Sequence, residues 1–115
     1  MATEFDYAQL DAISGGDAGF EKEVLEEYLL SAPNDMGKLS AAVSANDAAA
    51  AAATAHALKG ASATIGAKGF AAIALELEQA GKKGDLGPAP DALARLEAAF
   101  ADLTALLRER IQKAA

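Results

Sequence analysis

Apolar residues recur at alternating spacings of three and four along the C-terminal part of the chain. The residues that follow this spacing are Leu93, Leu96, Phe100, Leu103, Leu107 and Ile111. Because an α-helix has about 3.6 residues per turn, these side chains lie on one face, as in the seam of a helical bundle. The pattern predicts a helix over about residues 91–112 that packs against other helices.

The composition of the remaining chain also favours helices. Apolar residues make up 52% of the sequence but aromatic residues only 5%, and alanine supplies most of the excess. Alanine has the highest helix propensity of all residues, whereas the residues that favour strands are scarce here. The sequence therefore predicts an all-α protein.

Six helices are predicted from the positions of glycine, proline and capping residues. Their approximate ranges are 6–14, 18–31, 34–45, 47–65, 68–82 and 91–112. Asp17 is a candidate N-cap for the second helix, and Asn46 or Asp47 for the fourth. Pro33 is predicted to end the second helix, because the residue before a proline avoids the α region.

These helices are predicted to form a single domain over residues 1–115, since the chain has the length of one compact domain and shows no linker. Short connections favour antiparallel packing of sequential helices. We therefore expect an antiparallel four-helix bundle from residues 34–112, with additional N-terminal helices that cover one end or side. Glycines and prolines between Gly81 and Pro90 predict a loop before the last helix.

The chain is acidic, with a formal net charge of -7. Nucleic-acid binders are usually basic on at least one face, so this charge argues against nucleic acid as a partner. No stretch is long and apolar enough to span a bilayer, and Met1–Asp11 lacks the features of a signal peptide. The absence of cysteine excludes disulfides. We expect a monomeric, cytoplasmic protein without a membrane partner.

The charge is distributed unevenly along the chain. Residues 1–58 carry ten acidic residues and two lysines, whereas residues 59–83 carry four lysines and two glutamates. The lysine-rich segment begins directly after the region of His56, the only histidine. Such asymmetry can mark a site for a negatively charged group, although lysines can equally belong to solvated faces.

His56 lies on a helical face made almost entirely of small side chains. At about 100° per residue, the residues within roughly 60° of it are Ala49, Ala52, Lys59, Gly60 and Ala63. Leu58 and Ile65 point the opposite way, toward the expected core. Another protein could approach an imidazole on such a low surface closely. On periodicity alone, His56 can equally be an unreactive histidine, and Gly60 can serve close helix packing.

The segment around His56 also carries a recognisable motif. It reads His56-Ala57-Leu58-Lys59-Gly60-Ala61-Ser62-Ala63-Thr64-Ile65-Gly66-Ala67. This segment closely resembles the phosphorylation motif of histidine-containing phosphotransfer (HPt) domains: histidine, any residue, leucine, lysine and glycine, then a small residue and an apolar-glycine pair. The resemblance extends along most of the chain, because Phe20 to Pro33 looks like the family's second helix and Leu77-Glu78 like its fifth.

The resemblance implies a role for each residue of the motif. His56 would accept a phosphoryl group through Nε2, Lys59 would neutralise or position that group, and Gly60 would leave room for a receiver's aspartyl phosphate. Glu78 falls where the family places a residue that hydrogen-bonds Nδ1, and Lys82 where some members carry a second basic residue. An ordinary solvated acid and a surface lysine remain the alternatives for these two.

The predicted function is that of a phosphorelay intermediate whose partners are receiver domains. They would dock on the small-residue face, on the positions Ala49, Ala52, Ala63 and Lys82. The chain has no glycine-rich nucleotide loop, so we expect a phosphocarrier rather than an enzyme that uses ATP. The resemblance places the divalent metal on the receiver, and we expect neither a cofactor nor a metal site in this chain. Two alternatives remain: a helical docking adaptor that is not phosphorylated, and an HPt domain excised from a hybrid histidine kinase.

Overall fold

The computed structural model describes residues 4–114, which form five helices. They are α1 (Tyr7–Ser14), α2 (Ala18–Ser44), α3 (Ala48–Thr64), α4 (Lys68–Lys83) and α5 (Ala89–Ala114). Residues 1–3 and 115, which the predicted domain includes, lie outside the described residues. The four long helices make an antiparallel bundle in a molecule with extents of 43 × 21 × 19 Å, and the predicted all-α class is confirmed.

Each long helix packs against two others. α3 contacts α2 and α4, α5 contacts α2 and α4, and the short α1 lies against α2. The seam predicted for the last helix faces the core, since Leu96 and Leu107 are fully buried. Within the described part of the chain, no helix is both long and apolar enough to cross a membrane.

α2 is one continuous helix of 27 residues, and the prediction that Pro33 ends a helix is wrong. Pro33 lies on the exposed side of α2, and a proline within a helix costs about 3 kcal/mol. Side chains at helical spacing on both sides of it are nevertheless buried in one core: Leu25, Tyr28, Ala32, Met36 and Leu39. Burial of this continuous stripe outweighs the local cost.

The continuity of α2 changes which helices form the bundle. Residues 18–31, predicted to cover one end or side, instead build the N-terminal half of a bundle helix. Only α1 remains as an additional N-terminal helix. Its approach is fixed by the segment before it, because the Asp6 N–H donates to the Gly66 carbonyl at 2.7 Å and Lys68 pairs with the Asp6 carboxylate at 3.0 Å.

The loop predicted from Gly81 to Pro90 is shorter in the structure. α4 continues through Gly81 to Lys83 and ends at Gly84, which has a left-handed φ of 71°. α5 then begins at Ala89. The helix persists through Gly81 because this residue is buried against another helix. A tertiary contact therefore overrides the local tendency of glycine to interrupt a helix.

Both helix starts that depend on aspartate caps are confirmed. The Asp17 side chain accepts a hydrogen bond from the Phe20 N–H at 3.1 Å, and the Asp47 side chain accepts one from the Ala50 N–H at 3.1 Å. Each bond satisfies a backbone donor that has no partner within the first turn of its helix. The Asp47 cap fixes where α3 begins and so helps to set the register from which His56 projects.

Candidate functional site

His56 projects from the middle of α3 into solvent. The core-facing stripe of the same helix is formed by Ala51, Ala55, Leu58 and Ser62, each at most 1% exposed. Because this stripe anchors α3 in the bundle, the opposite face must point outward. The His56 side chain is 67% exposed, so its ring is accessible to a partner.

Glu78 on α4 contacts the His56 ring at Nδ1. Its side chain is only 2% exposed, and its Oε2 lies 2.9 Å from His56 Nδ1. Ion pairing with Lys59 and Lys82, together with the hydrogen bond to His56, lowers the pKa of Glu78 from 4.5 to about 2. The alternative of an ordinary solvated acid is therefore wrong for this residue.

The ionised state of Glu78 determines the tautomer of His56. An ionised carboxylate can only accept hydrogen bonds, so His56 Nδ1 must carry the proton and donate it. In the neutral imidazole, Nε2 then has no proton and presents its lone pair on the exposed side of the ring. The site therefore holds a nucleophilic nitrogen in a fixed orientation.

Two lysines share the Glu78 carboxylate with His56. Lys59 Nζ lies 2.8 Å from Oε1, and Lys82 Nζ lies 2.9 Å from Oε2. With a neutral imidazole, two lysines and one carboxylate give the site a net charge of about +1. Both lysine side chains are partly exposed, with 30% of Lys59 and 67% of Lys82 accessible. The site can therefore attract and partly neutralise an incoming anionic group.

The ion pairs of Glu78, which lower its pKa, predict how stability depends on pH. The Glu78 carboxyl has a pKa of about 2 in the folded state and an ordinary value of 4.5 in the unfolded state. Its ionised form therefore stabilises the fold fully above about pH 5. This contribution is lost as the pH falls through the range between these two values.

The variant Glu78→Gln isolates this contribution. The difference in free energy of unfolding between the wild type and the variant should shrink as the pH falls from about 5 toward about 2. Urea denaturation at a series of pH values measures the difference, and acids common to both proteins cancel in it. A difference that does not change down to pH 2 would contradict the ionised, ion-paired state of Glu78.

The small-residue face around His56 is present, although its members differ in exposure. Ala49, Gly60 and Ala63 are exposed, whereas Ala52 is half-buried because it lies against α4. A Cβ atom built on Gly60 would meet no atom within 4 Å. Gly60 is therefore not required for helix packing, which removes that alternative and leaves open space beside His56.

Gly81 performs the packing role that Gly60 does not. A Cβ atom at Gly81 would lie 2.6 Å from the Ala48 carbonyl oxygen and 2.7 Å from the Ala52 nitrogen. α4 therefore approaches the backbone of α3 directly, one turn after Glu78. Gly81 was predicted only as the start of a loop and not as a residue of the site. The available signal was its position three residues after Glu78, within reach of the same neighbouring helix.

Ser62 takes no part in the site. Its hydroxyl is buried and lies 2.7 Å from the Tyr28 hydroxyl on α2, and burial raises the pKa of Tyr28 to about 12. This bond ties α2 to α3 behind the exposed face. Within residues 4–114, no group of three His, Cys, Asp or Glu side chains is placed to hold a metal ion.

The fold and the site together define a class of protein: a helical bundle that presents one oriented histidine for group transfer. Comparison with known families agrees with this class. The family described as "Hpt domain" matches residues 23–109, which is most of the chain. The chain belongs to the Hpt domain family.

Two solved structures share the whole fold. Histidine-containing phosphotransfer protein B from Pseudomonas aeruginosa PAO1 is 29% identical, with a TM-score of 0.91 and coverage of 98% of both chains. The HPT domain of an Hpt sensor hybrid histidine kinase from Shewanella is 18% identical, with a TM-score of 0.80 and coverage of 98% of this chain and 97% of the other. The second similarity supports the fold alone. Among curated proteins, no sequence matches significantly.

Proposed function

We propose that this protein is a phosphorelay intermediate in which His56 accepts a phosphoryl group from an aspartyl phosphate of a receiver domain. His56 then passes the group to the aspartate of another receiver. The observation that carries the proposal is the hydrogen bond between His56 Nδ1 and the buried, ionised Glu78. In the neutral ring it leaves Nε2 without a proton, on a side chain that is 67% exposed, which is the state that a nucleophile for phosphorus requires.

The transfer step follows from this geometry. Nε2 attacks phosphorus in line with the aspartyl oxygen, so that an N–P bond forms while the O–P bond breaks and the aspartate leaves as a carboxylate. Nε2 has no proton to lose, and the ring gains positive charge while Nδ1 keeps its proton. Glu78 stabilises this charge through the same hydrogen bond. The reverse step restores the neutral ring.

Lys59 and Lys82 serve the phosphoryl group in this proposal. Transfer of a phosphoryl group depends mainly on positioning and on neutralisation of the negative charge on its oxygens. Both ammonium groups lie within 2.9 Å of Glu78 on side chains that are partly exposed, so they can turn toward oxygens bound at Nε2. Their attraction also favours encounter with an anionic partner and makes it sensitive to salt.

In this proposal the chain acts as a phosphocarrier with receiver domains as its partners. Docking would occur on the face that includes Ala49, Ala52, Ala63 and Lys82. The divalent metal that assists transfer would be bound by the receiver, and the chain itself would need no cofactor. The oriented His56, together with the open space at Gly60, favours this function over that of an unphosphorylated docking adaptor. A place within a hybrid histidine kinase is compatible with the same chemistry.

A phosphotransfer profile tests the function directly. The protein is incubated with each receiver domain of the source organism after that receiver has been labelled with radioactive phosphate. At least one receiver should transfer its label to this chain, and the label should be labile in acid and stable in base, as an N–P bond is. If no receiver transfers label, or if the transferred label is stable in acid, the proposed function is wrong.

Gly60 gives a second prediction, which concerns access to His56. Since a Cβ at this position would meet no other atom, Gly60→Ala should preserve or raise stability, by up to about 1 kcal/mol. Gly60→Gln should leave the fold intact but slow phosphotransfer from a receiver, because its side chain enters the space beside Nε2. Transfer reactions quenched at successive times measure the rate of phosphotransfer, and urea denaturation measures the free energy of unfolding. Transfer at the wild-type rate by Gly60→Gln would contradict the steric role.

A further inference from the structure

Large apolar side chains are exposed at four places in the described part of the chain: Tyr7, Phe20, Leu30 and Leu75. Of these four, Leu75 is the one that lies beside the candidate site. It precedes Glu78 by three residues on α4, a rise of about 4.5 Å, and lies roughly 60° around the helix from it. Leu75 is 38% exposed, although its helix buries most of its other apolar side chains.

The position of Gly81 shows which way Leu75 points. Gly81 lies roughly 60° from Glu78 in the opposite direction around α4, and it contacts the backbone of α3. Leu75 and Lys82 are therefore on the outer side of Glu78, away from α3. Leu75 and Lys82 are about 10.5 Å apart along α4, one before and one after Glu78, and both face outward beside the carboxylate that contacts His56.

α3 and α4 differ in the side chains that they present to a partner beside His56. On α3, the exposed residues next to His56 are alanines and Gly60, which supply little surface, and the partly exposed Lys59, which supplies a charge but no branched apolar side chain. On α4, Leu75 supplies a branched apolar side chain, and Lys82 supplies a positive charge. Binding energy at protein interfaces concentrates in a few side chains that become buried near the centre of contact. Leu75 is the apolar side chain at this site that fits such a role.

We propose that Leu75 is the apolar anchor by which a receiver domain docks beside His56. The inference rests on the proposed function, because transfer requires the receiver's phosphorylated aspartate to meet Nε2 and hence requires its surface to cover the neighbouring part of α4. The matching receiver surface carries an apolar side chain next to its phosphorylated aspartate, with the anionic phosphoryl group facing Lys59 and Lys82. Receivers that lack this apolar side chain are poor partners, so Leu75 contributes to partner selection.

Single-turnover transfer from a labelled receiver tests the anchor. Leu75→Gln should raise the protein concentration at half-maximal rate by about tenfold, while the rate at saturation stays at the wild-type value. Leu75→Met keeps an apolar side chain of similar volume and should behave as the wild type. Leu30 is a matched control, because it is 76% exposed on α2 and two residues from the buried Tyr28, so Leu30→Gln should change neither quantity.

A small phosphoryl donor separates docking from chemistry. Phosphoramidate can label histidine without a protein interface, so the wild type, Leu75→Gln and Leu30→Gln should react with it at equal rates. Equal half-maximal concentrations for Leu75→Gln and the wild type would overturn the anchor. A fall in its saturated rate, or in its reaction with phosphoramidate, would also overturn it, because Leu75 would then position the site instead. Failure of the wild type to accept label from any receiver would overturn the proposed function itself, which is a distinct result.

Discussion

His56→Gln is expected to reduce phosphate uptake from a phosphorylated receiver to background. His56 is the only histidine of the chain, and its Nε2 is the nucleophile that the hydrogen bond from Nδ1 to Glu78 orients. Glutamine has no nitrogen that can attack phosphorus in its place, because the amide lone pair is delocalised. The reaction therefore loses its acceptor and not merely a favourable contact.

The measurement is the stoichiometry of label on the chain after incubation with the receiver. Since the His56 side chain is 67% exposed, the variant should retain the helical circular dichroism and the unfolding transition of the wild type. A folded variant without label assigns the loss to chemistry. Label that persists in the variant would place the acceptor on another residue, and the proposed role of His56 would be wrong.

The core of the site was predictable because it lies within one helix. The spacing of His56, Lys59 and Gly60 depends only on the geometry of α3, and the cap at Asp47 is a local signal as well. The direction of His56 followed from the buried position of Leu58 on the same helix, which the structure confirms. Where all the participating residues share one element, helical periodicity is sufficient to place them on one face, whereas the roles of these residues were implied by the resemblance of the motif.

The features that the sequence did not predict all depend on contacts between helices. Pro33 disfavours a helix locally, but the stripe on either side of it is buried in one core. The resemblance suggested Glu78, yet its burial and its pairing with both Lys59 and Lys82 require the observed packing of α4 on α3. Such contacts join residues far apart in the chain, and local propensity carries no information about them.

Gly81→Ala is expected to destabilise the fold, although alanine favours a helix more than glycine does. The added Cβ would lie 2.6 Å from the Ala48 carbonyl oxygen and 2.7 Å from the Ala52 nitrogen. Both are backbone atoms, so no rotation of a side chain can relieve the contact, and α4 must move away from α3. Overpacking of this kind costs about 1–3 kcal/mol, which exceeds the gain of up to about 1 kcal/mol in helix propensity.

The matched control is the same substitution at Gly60, where the added Cβ meets open space. Urea denaturation should show a lower free energy of unfolding for Gly81→Ala and an equal or higher one for Gly60→Ala. The displacement should also affect chemistry, because Glu78 lies three residues before Gly81 and must reach His56 at 2.9 Å. Phosphotransfer by folded Gly81→Ala should therefore be slower, with phosphoramidate as well as with a receiver. If both alanine variants have the same stability, the direct contact between α3 and α4 does not determine how the His56 site is held together.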